Sequence, residues 1–175
     1  HRRKNPVMHT ILPGTEVHNS VGLLGEANVL NLLQLQVPGV KDVFFTHGGC
    51  GFYGAVVQIA QTRAGWAKQA ILPAFAAFPP LKTVTVVDDD VNIYDPTDVE
   101  WAMTTRLDPD KGIMIFRDIF GHGLNPSFPD YLGNKVGYDA TQPFPHRPEF
   151  ERATMKKMSL DGLEIVTPDI GAPKD

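Results

Sequence analysis

The 175-residue chain has one cysteine, Cys50, which excludes an internal disulfide framework and a multi-cysteine zinc site and fits a reducing compartment. No apolar run approaches the roughly 20 residues needed to cross a bilayer. Neither sign of charge dominates. Sixteen basic and twenty acidic side chains leave a net charge of −4, which argues against non-specific binding to nucleic acid or anionic membrane as the main purpose. The expected location is the cytoplasm. A Walker or dinucleotide-type loop is missing, because glycines 48, 49 and 51 fall between two predicted strands rather than before a helix. Histidines 9, 18, 122 and 146 lack metal-ligand spacing, and no internal repeat or low-complexity tract occurs. The first residue is His1, and no apolar stretch follows Arg2, Arg3 and Lys4 to make a signal peptide. The chain therefore reads as cut from something longer, with a tag remnant as the alternative.

What is there is ordinary for a globular protein: 42% hydrophobic and 21% charged residues, which excludes collagen, coiled coil and wholesale disorder. A chain of this size can bury roughly 70% of its unfolded surface around one core. Val7 to Leu12 is a short extended candidate. Val21, Leu24, Leu30 and Leu33 recur at helical spacing and predict a helix from Val21 to Gln36, stopped by Val37-Pro38-Gly39. Asp42 to Thr46 and Tyr53 to Ile59 read as strands joined by the glycine turn. Ala64 to Phe78 predicts a helix that Pro73 should kink or divide. Thr83 to Val87 is β-branched enough for a strand buried on both faces. Asp95 as N-cap, Pro96 at the first position and Asp98 at the third open a helix to about Leu107, and Ile113 to Arg117 is the next strand. Alternating strands and helices imply crossovers, hence an α/β fold: a mixed, largely parallel sheet with helices on its faces. From Ile119 onward glycines and prolines scatter among aromatics, which reads as a long functional loop. An extended tail from Pro143 holds one short helix candidate, Glu149 to Met158.

Three adjacent carboxylates, Asp88, Asp89 and Asp90, end the predicted buried strand, at the edge where open α/β sheets bind ligands. Like charges so close need compensation, so a Mg²⁺ ion is one reading and a solvated turn the other. The spacing of Asp88 and Asp90 also suits a haloacid-dehalogenase-like phosphatase, although the fifth position of that motif is Asn92 and its later motifs have no clear counterpart. A non-catalytic interaction module is the remaining alternative. Cys50 lies three residues from His47, which suggests a thiol nucleophile with an imidazole base; a small buried cysteine is the plainer reading.

Five segments taken in order resemble the carboxyl-terminal domain of UbiD-type decarboxylases. They are Ala55 to Ile59, Lys82, Val86 to Asn92, Asp98 to Pro109 with its Trp-Ala-Met-Thr-Thr-Arg core, and Gly133-Asn134-Lys135-Val136-Gly137-Tyr138-Asp139-Ala140-Thr141. The resemblance spans about residues 1 to 142, and His1 to Pro6 looks like the strand entering such a domain. It implies reversible decarboxylation of aromatic, heteroaromatic or α,β-unsaturated acids on prenylated FMN, held with a divalent metal (Mn or Mg) and K. In the family the flavin site and the acid–base residues lie mostly in a preceding domain, which is not found in this sequence. No catalytic residue and no metal ligand is therefore expected here, and the isolated chain is expected to be inactive and to hold no flavin stably.

Residue by residue, the resemblance makes Lys82 the cofactor contact, reaching the flavin phosphate. It makes the loop Ile119 to Tyr131 a wall of the substrate pocket, through Phe120, His122, Leu124, Asn125 and Phe128. Trp101 is expected to pack, Arg106 to form an ion pair or cap its helix, and Lys135 to pair with Asp139 across Gly137. Apolar residues of the tail 143–175, namely Phe144, Phe150, Met155, Met158, Leu160, Leu163 and Ile165, imply packing on a neighbouring subunit. The expected partners are thus the protein's own amino-terminal flavin domain, a second copy in a dimer or larger homo-oligomer, and a small carboxylic acid.

Overall fold

The computed structural model describes residues 15–153. Helix α1 (Thr15–Gln36) leads into strands β1 (Val40–Phe45) and β2 (Gly54–Ile59), helix α2 (Trp66–Ala77), strand β3 (Thr83–Asp88) and helix α3 (Pro96–Thr105). A single turn, α4 (Pro109–Gly112), precedes β4 (Ile113–Phe120), and β5 (Leu132–Ala140) ends the sheet. The strand order is β1-β2-β3-β5-β4. The three central strands β2, β3 and β5 are parallel, and each edge strand is antiparallel to its neighbour. This is the mixed α/β sheet expected.

Two apolar layers cover the sheet. One face packs against α1 and α2 through Val29, Leu33, Ala67, Ala70, Ile71 and Ala74; the other packs Val56, Val87 and Ala140 against Ala102 of α3 and its neighbours Val99 and Trp101. Strand β3 lies between them, with Val84, Val86 and Val87 fully buried, as its β-branched run requires. Asp95 caps α3, its carboxylate accepting from Thr97 N–H at 2.9 Å, with Pro96 in the first turn. Pro73 sits inside α2 without dividing it.

The predicted face of α1 is corrected. Its buried stripe is Gly22, Gly25, Val29, Leu33 and Val37, while Val21 and Leu24 point outward with Leu23 and Leu35. Close approach decides this: a Cβ at Gly25 would strike the Phe45 and Phe78 rings, and one at Gly22 would strike the Gly51 carbonyl. The order of the last strands is corrected as well. β4 is antiparallel, and β5, read as part of a loop, is inserted between β3 and β4. Where the helix Glu149 to Met158 was expected, Pro148–Phe150 form a single 3₁₀ turn and residues 151–153 are irregular; the rest of that span lies outside the described residues. The strand candidate Val7 to Leu12, the entry segment His1 to Pro6 and the tail beyond residue 153 lie outside the described residues. Among the described residues no helix is long and apolar enough to cross a membrane.

Candidate functional site

The residues singled out from the sequence fall at opposite ends of the sheet. Because β4 is antiparallel, its carboxyl end at Phe120 pairs with Leu132 at the start of β5, beside the start of β3. The loop 119–131 therefore lies at the amino edge of the parallel strands, together with Lys82 and the turn after β1. Asp88, Asp90 and Arg106 lie at the carboxyl edge, where the sequence placed the ligand cleft.

At the carboxyl edge the compensating cation is a protein side chain. Arg106 donates through Nη1 to Asp88 Oδ2 at 2.9 Å and forms a two-bond fork with Asp90 at 2.7 and 2.6 Å. Its guanidinium lies 4.8 Å from the Trp101 ring centroid, and Arg152 stacks 4.4 Å from the same ring while pairing with Asp98. Burial pushes the Asp88 carboxyl up, against the Gln142 N–H that donates to it at 2.6 Å and the charge of Arg106. The hydrogen bonds from Arg106 hold Asp90 below its ordinary value. Both contacts to Asp88 fall on Oδ2, while both oxygens of Asp90 are held by Arg106, so the pair is engaged as an ion-pair cluster. Among the described residues no group of three or more His, Cys, Asp or Glu side chains is arranged to hold a metal ion. Cys50 is exposed rather than buried, in left-handed conformation (φ 59°) where the glycine turn ends.

The amino edge is built differently. Lys82 enters the central strand with both backbone groups committed, its N–H donating to the Tyr53 carbonyl at 2.7 Å and its own carbonyl accepting from Val136 N–H at 2.9 Å. Its ammonium donates to Ser127 Oγ at 2.6 Å, across 45 residues of chain, and lies 5.8 Å from the Phe128 ring centroid. Lys82 has no carboxylate partner among the described residues. An ammonium carries three donors, and only one is spent on Ser127. A charged donor with spare N–H groups at a strand entrance fits a phosphate.

The loop is closed and internally bonded. Gly121 N–H donates to the Tyr131 carbonyl at 2.8 Å, Asn125 N–H to the His122 carbonyl at 3.0 Å and Phe128 N–H to the Asn125 carbonyl at 2.9 Å. Phe128 is 2% exposed and is seated over Gly121 and Gly133, where any Cβ would meet its ring. Of the five pocket candidates it is thus the plug that anchors the loop. Asn125 turns its amide oxygen inward, accepting from Ser127 N–H at 3.0 Å and Oγ–H at 2.7 Å. His122 sets its ring edge-on to Phe52 at 5.1 Å. Phe120 and Leu124 face outward, Phe120 stacked on Tyr131 at 5.9 Å. Ser127 and Phe52 were not singled out from sequence; the Asn125-Pro126-Ser127 turn signal could have pointed to Ser127. The expected Lys135–Asp139 pair is absent. Lys135 Nζ donates to the Pro79 carbonyl at 2.6 Å, while Asp139 accepts from the Thr141 hydroxyl at 2.6 Å.

Comparison with known proteins agrees with this architecture. Residues 18–140 match the 3-octaprenyl-4-hydroxybenzoate carboxy-lyase C-terminal domain, the UbiD carboxyl-terminal family. The chain is 70% identical over 95% of its length to an uncharacterised protein from the cooM 5′ region of Rhodospirillum rubrum, of which it covers 36%. It is 44% identical over 87% of its length to anhydromevalonate phosphate decarboxylase of Methanocaldococcus jannaschii, covering 37% of that protein. Among solved structures it resembles the UbiD-class enzyme HmfF of Pelotomaculum thermopropionicum in complex with FMN (40% identity, TM-score 0.75, 82% of this chain and 32% of that one). An evolved dimeric form of HmfF with prFMN matches at 37% identity and TM-score 0.66, over 82% of this chain and 29% of that one. The chain thus spans about a third of the length of these relatives.

Proposed function

The chain belongs to the UbiD family through its carboxyl-terminal domain, and from that premise we propose that it caps the active site of a reversible decarboxylase acting on aromatic, heteroaromatic or α,β-unsaturated acids. The observation that carries this reading is the contact between Lys82 and the 119–131 loop, which joins the expected cofactor contact to the expected pocket wall at one sheet edge. Prenylated FMN, when bound, supplies the electron sink for losing CO₂ from such acids. The Lys82 ammonium holds the phosphate end of that cofactor. Phe120 and Leu124, outward-facing and apolar, contact substrate or flavin and exclude water, and His122 on Phe52 fixes one side of the loop. The acid–base residues, the divalent metal and K belong to the flavin domain that precedes this one in the full-length protein. Exposed Val21, Leu23, Leu24 and Leu35 on α1 support cover by that domain or by a second copy in a homo-oligomer; residues 143–153 fold back on their own domain through Arg152 and Asp98, and the remainder of the tail lies outside the described residues.

The test compares the full-length protein, loaded with prenylated FMN, with the isolated 175-residue chain. Released CO₂ is measured over a panel of aryl and α,β-unsaturated acids. The full-length protein is expected to turn over at least one acid and the isolated chain none. Phe120→Ala and Leu124→Ala are expected to change relative kcat/KM between acids by roughly 10-fold or more, the size of a lost apolar contact in a specificity pocket. CO₂ release by the isolated chain, or an unchanged substrate ranking in both loop variants, would contradict the reading.

A further inference from the structure

We propose that Ser127, oriented by Asn125, is a positioning residue that presents the Lys82 ammonium to the FMN phosphate. This rests on the cofactor role of Lys82 given above. A serine hydroxyl has one proton and two lone pairs. Here the proton is committed: Ser127 Oγ–H donates to Asn125 Oδ1 at 2.7 Å, and the same oxygen accepts Ser127 N–H at 3.0 Å, closing a small ring that fixes the hydroxyl. What remains free on Oγ is acceptor capacity, and the Lys82 ammonium takes it at 2.6 Å. An ammonium can only donate, so it needs a lone pair on Oγ; with the hydroxyl proton held by Asn125 Oδ1, that lone pair is already aimed at Lys82.

Both ends of the contact are tied to strand β5. The Lys82 carbonyl accepts from Val136 N–H, and the loop carrying Ser127 is anchored by Phe128, seated over Gly121 and Gly133 at the β4–β5 join. The Phe128 ring, 5.8 Å from Nζ, gives the ammonium a second, weaker attractive neighbour. Lysine is a flexible stem carrying a compact charge, and it gives up much rotamer freedom when fixed. Ser127 and Phe128 restrict that freedom before any ligand arrives and leave two N–H donors unspent. This preorganisation strengthens binding without a new ligand contact.

The experiment uses the full-length protein and measures dissociation constants for FMN and for riboflavin, which lacks the phosphate, by flavin fluorescence quenching. Lys82→Ala is expected to weaken FMN by about 10-fold or more, as loss of a charged hydrogen bond does, with riboflavin unchanged. Ser127→Ala and Asn125→Ala are expected to weaken FMN about 3- to 10-fold, again sparing riboflavin. Ser127→Thr, which keeps the hydroxyl, should restore most of the loss. In the Lys82→Ala background Ser127→Ala should add nothing, because it acts only through that lysine. If Lys82→Ala weakens FMN selectively but Ser127→Ala does not, the positioning role is overturned and the cofactor role of Lys82 stands. Equal loss of FMN and riboflavin in Ser127→Ala marks a merely structural loop residue and also overturns it. If Lys82→Ala leaves the preference for FMN intact, the reading of Lys82 fails and this inference with it.

Discussion

At position 135 an ammonium is held at 1% exposure with a backbone carbonyl, from Pro79, as its hydrogen-bond partner and the Phe75 ring 5.2 Å away. Burial lowers its pKa from the ordinary 10.5 to about 8. Between those values the unfolded chain binds more protons than the folded one, so this residue makes stability rise with pH from about 8 to about 10.5. A difference of that size corresponds to about 3 kcal/mol. Urea unfolding of the chain at pH 7.5 and pH 10 should therefore show a rise that Lys135→Met abolishes. An equal pH slope in both proteins would mean that the ammonium is not desolvated. Sequence suggested an Asp139 partner instead, four residues along. On a strand that separation is roughly 13 Å, beyond the reach of an ion pair between these side chains. Arg106 behaves oppositely: it lies between two carboxylates that burial would otherwise penalise, so the triple-aspartate signal belongs to architecture rather than to metal chemistry.

At the scale of elements, β5 is the instructive case. Leu132–Ala140 carries two glycines, an asparagine and an aspartate, a composition that β-propensity disfavours, yet it sits between β3 and β4 in the sheet. The glycines are there for close packing. A Cβ at Gly137 would strike the Ile71 side chain of α2. Gly137→Val should cost about 1–3 kcal/mol by overpacking. Ile71→Ala in the same chain should give the valine room, so the double variant loses less than the sum of the two single losses. Additive losses in thermal or urea unfolding would mean that helix and strand do not meet there. The strands and helices with regular periodicity, capping or β-branched runs were legible: β1 to β3, α2 and α3 lie within a residue or two of expectation. What escaped was set by tertiary contact. The buried stripe of α1 runs through Gly22 and Gly25, which no hydrophobicity count can weight, and the antiparallel course of β4 depends on a hairpin whose loop is pinned by Phe128. Of the candidate site, Lys82 and the aromatic loop could be named from resemblance. Their meeting through Ser127, and the inward roles of Phe128 and Asn125, required the fold.

For the whole molecule, the antiparallel edge strands settle which end of the sheet carries which group. They bring the β1–β2 glycine turn, Lys82 and the 119–131 loop to the amino edge, and leave the Arg106 cluster to hold the carboxyl edge against the segment around Gln142 and Arg152. Leu23, Leu24 and Leu35 are exposed along the first helix, consistent with the proposed cover by another surface. In the proposed assembly the amino edge faces the flavin. An electron cryomicroscopy structure of the full-length protein with FMN tests it most directly. Lys82 Nζ is expected at roughly 3 Å from a phosphate oxygen, with Phe120 and Leu124 turned toward the ring system. A phosphate seated at the carboxyl edge beside Asp88 and Arg106, or a flavin making no contact with residues 82 and 119–131, would contradict it.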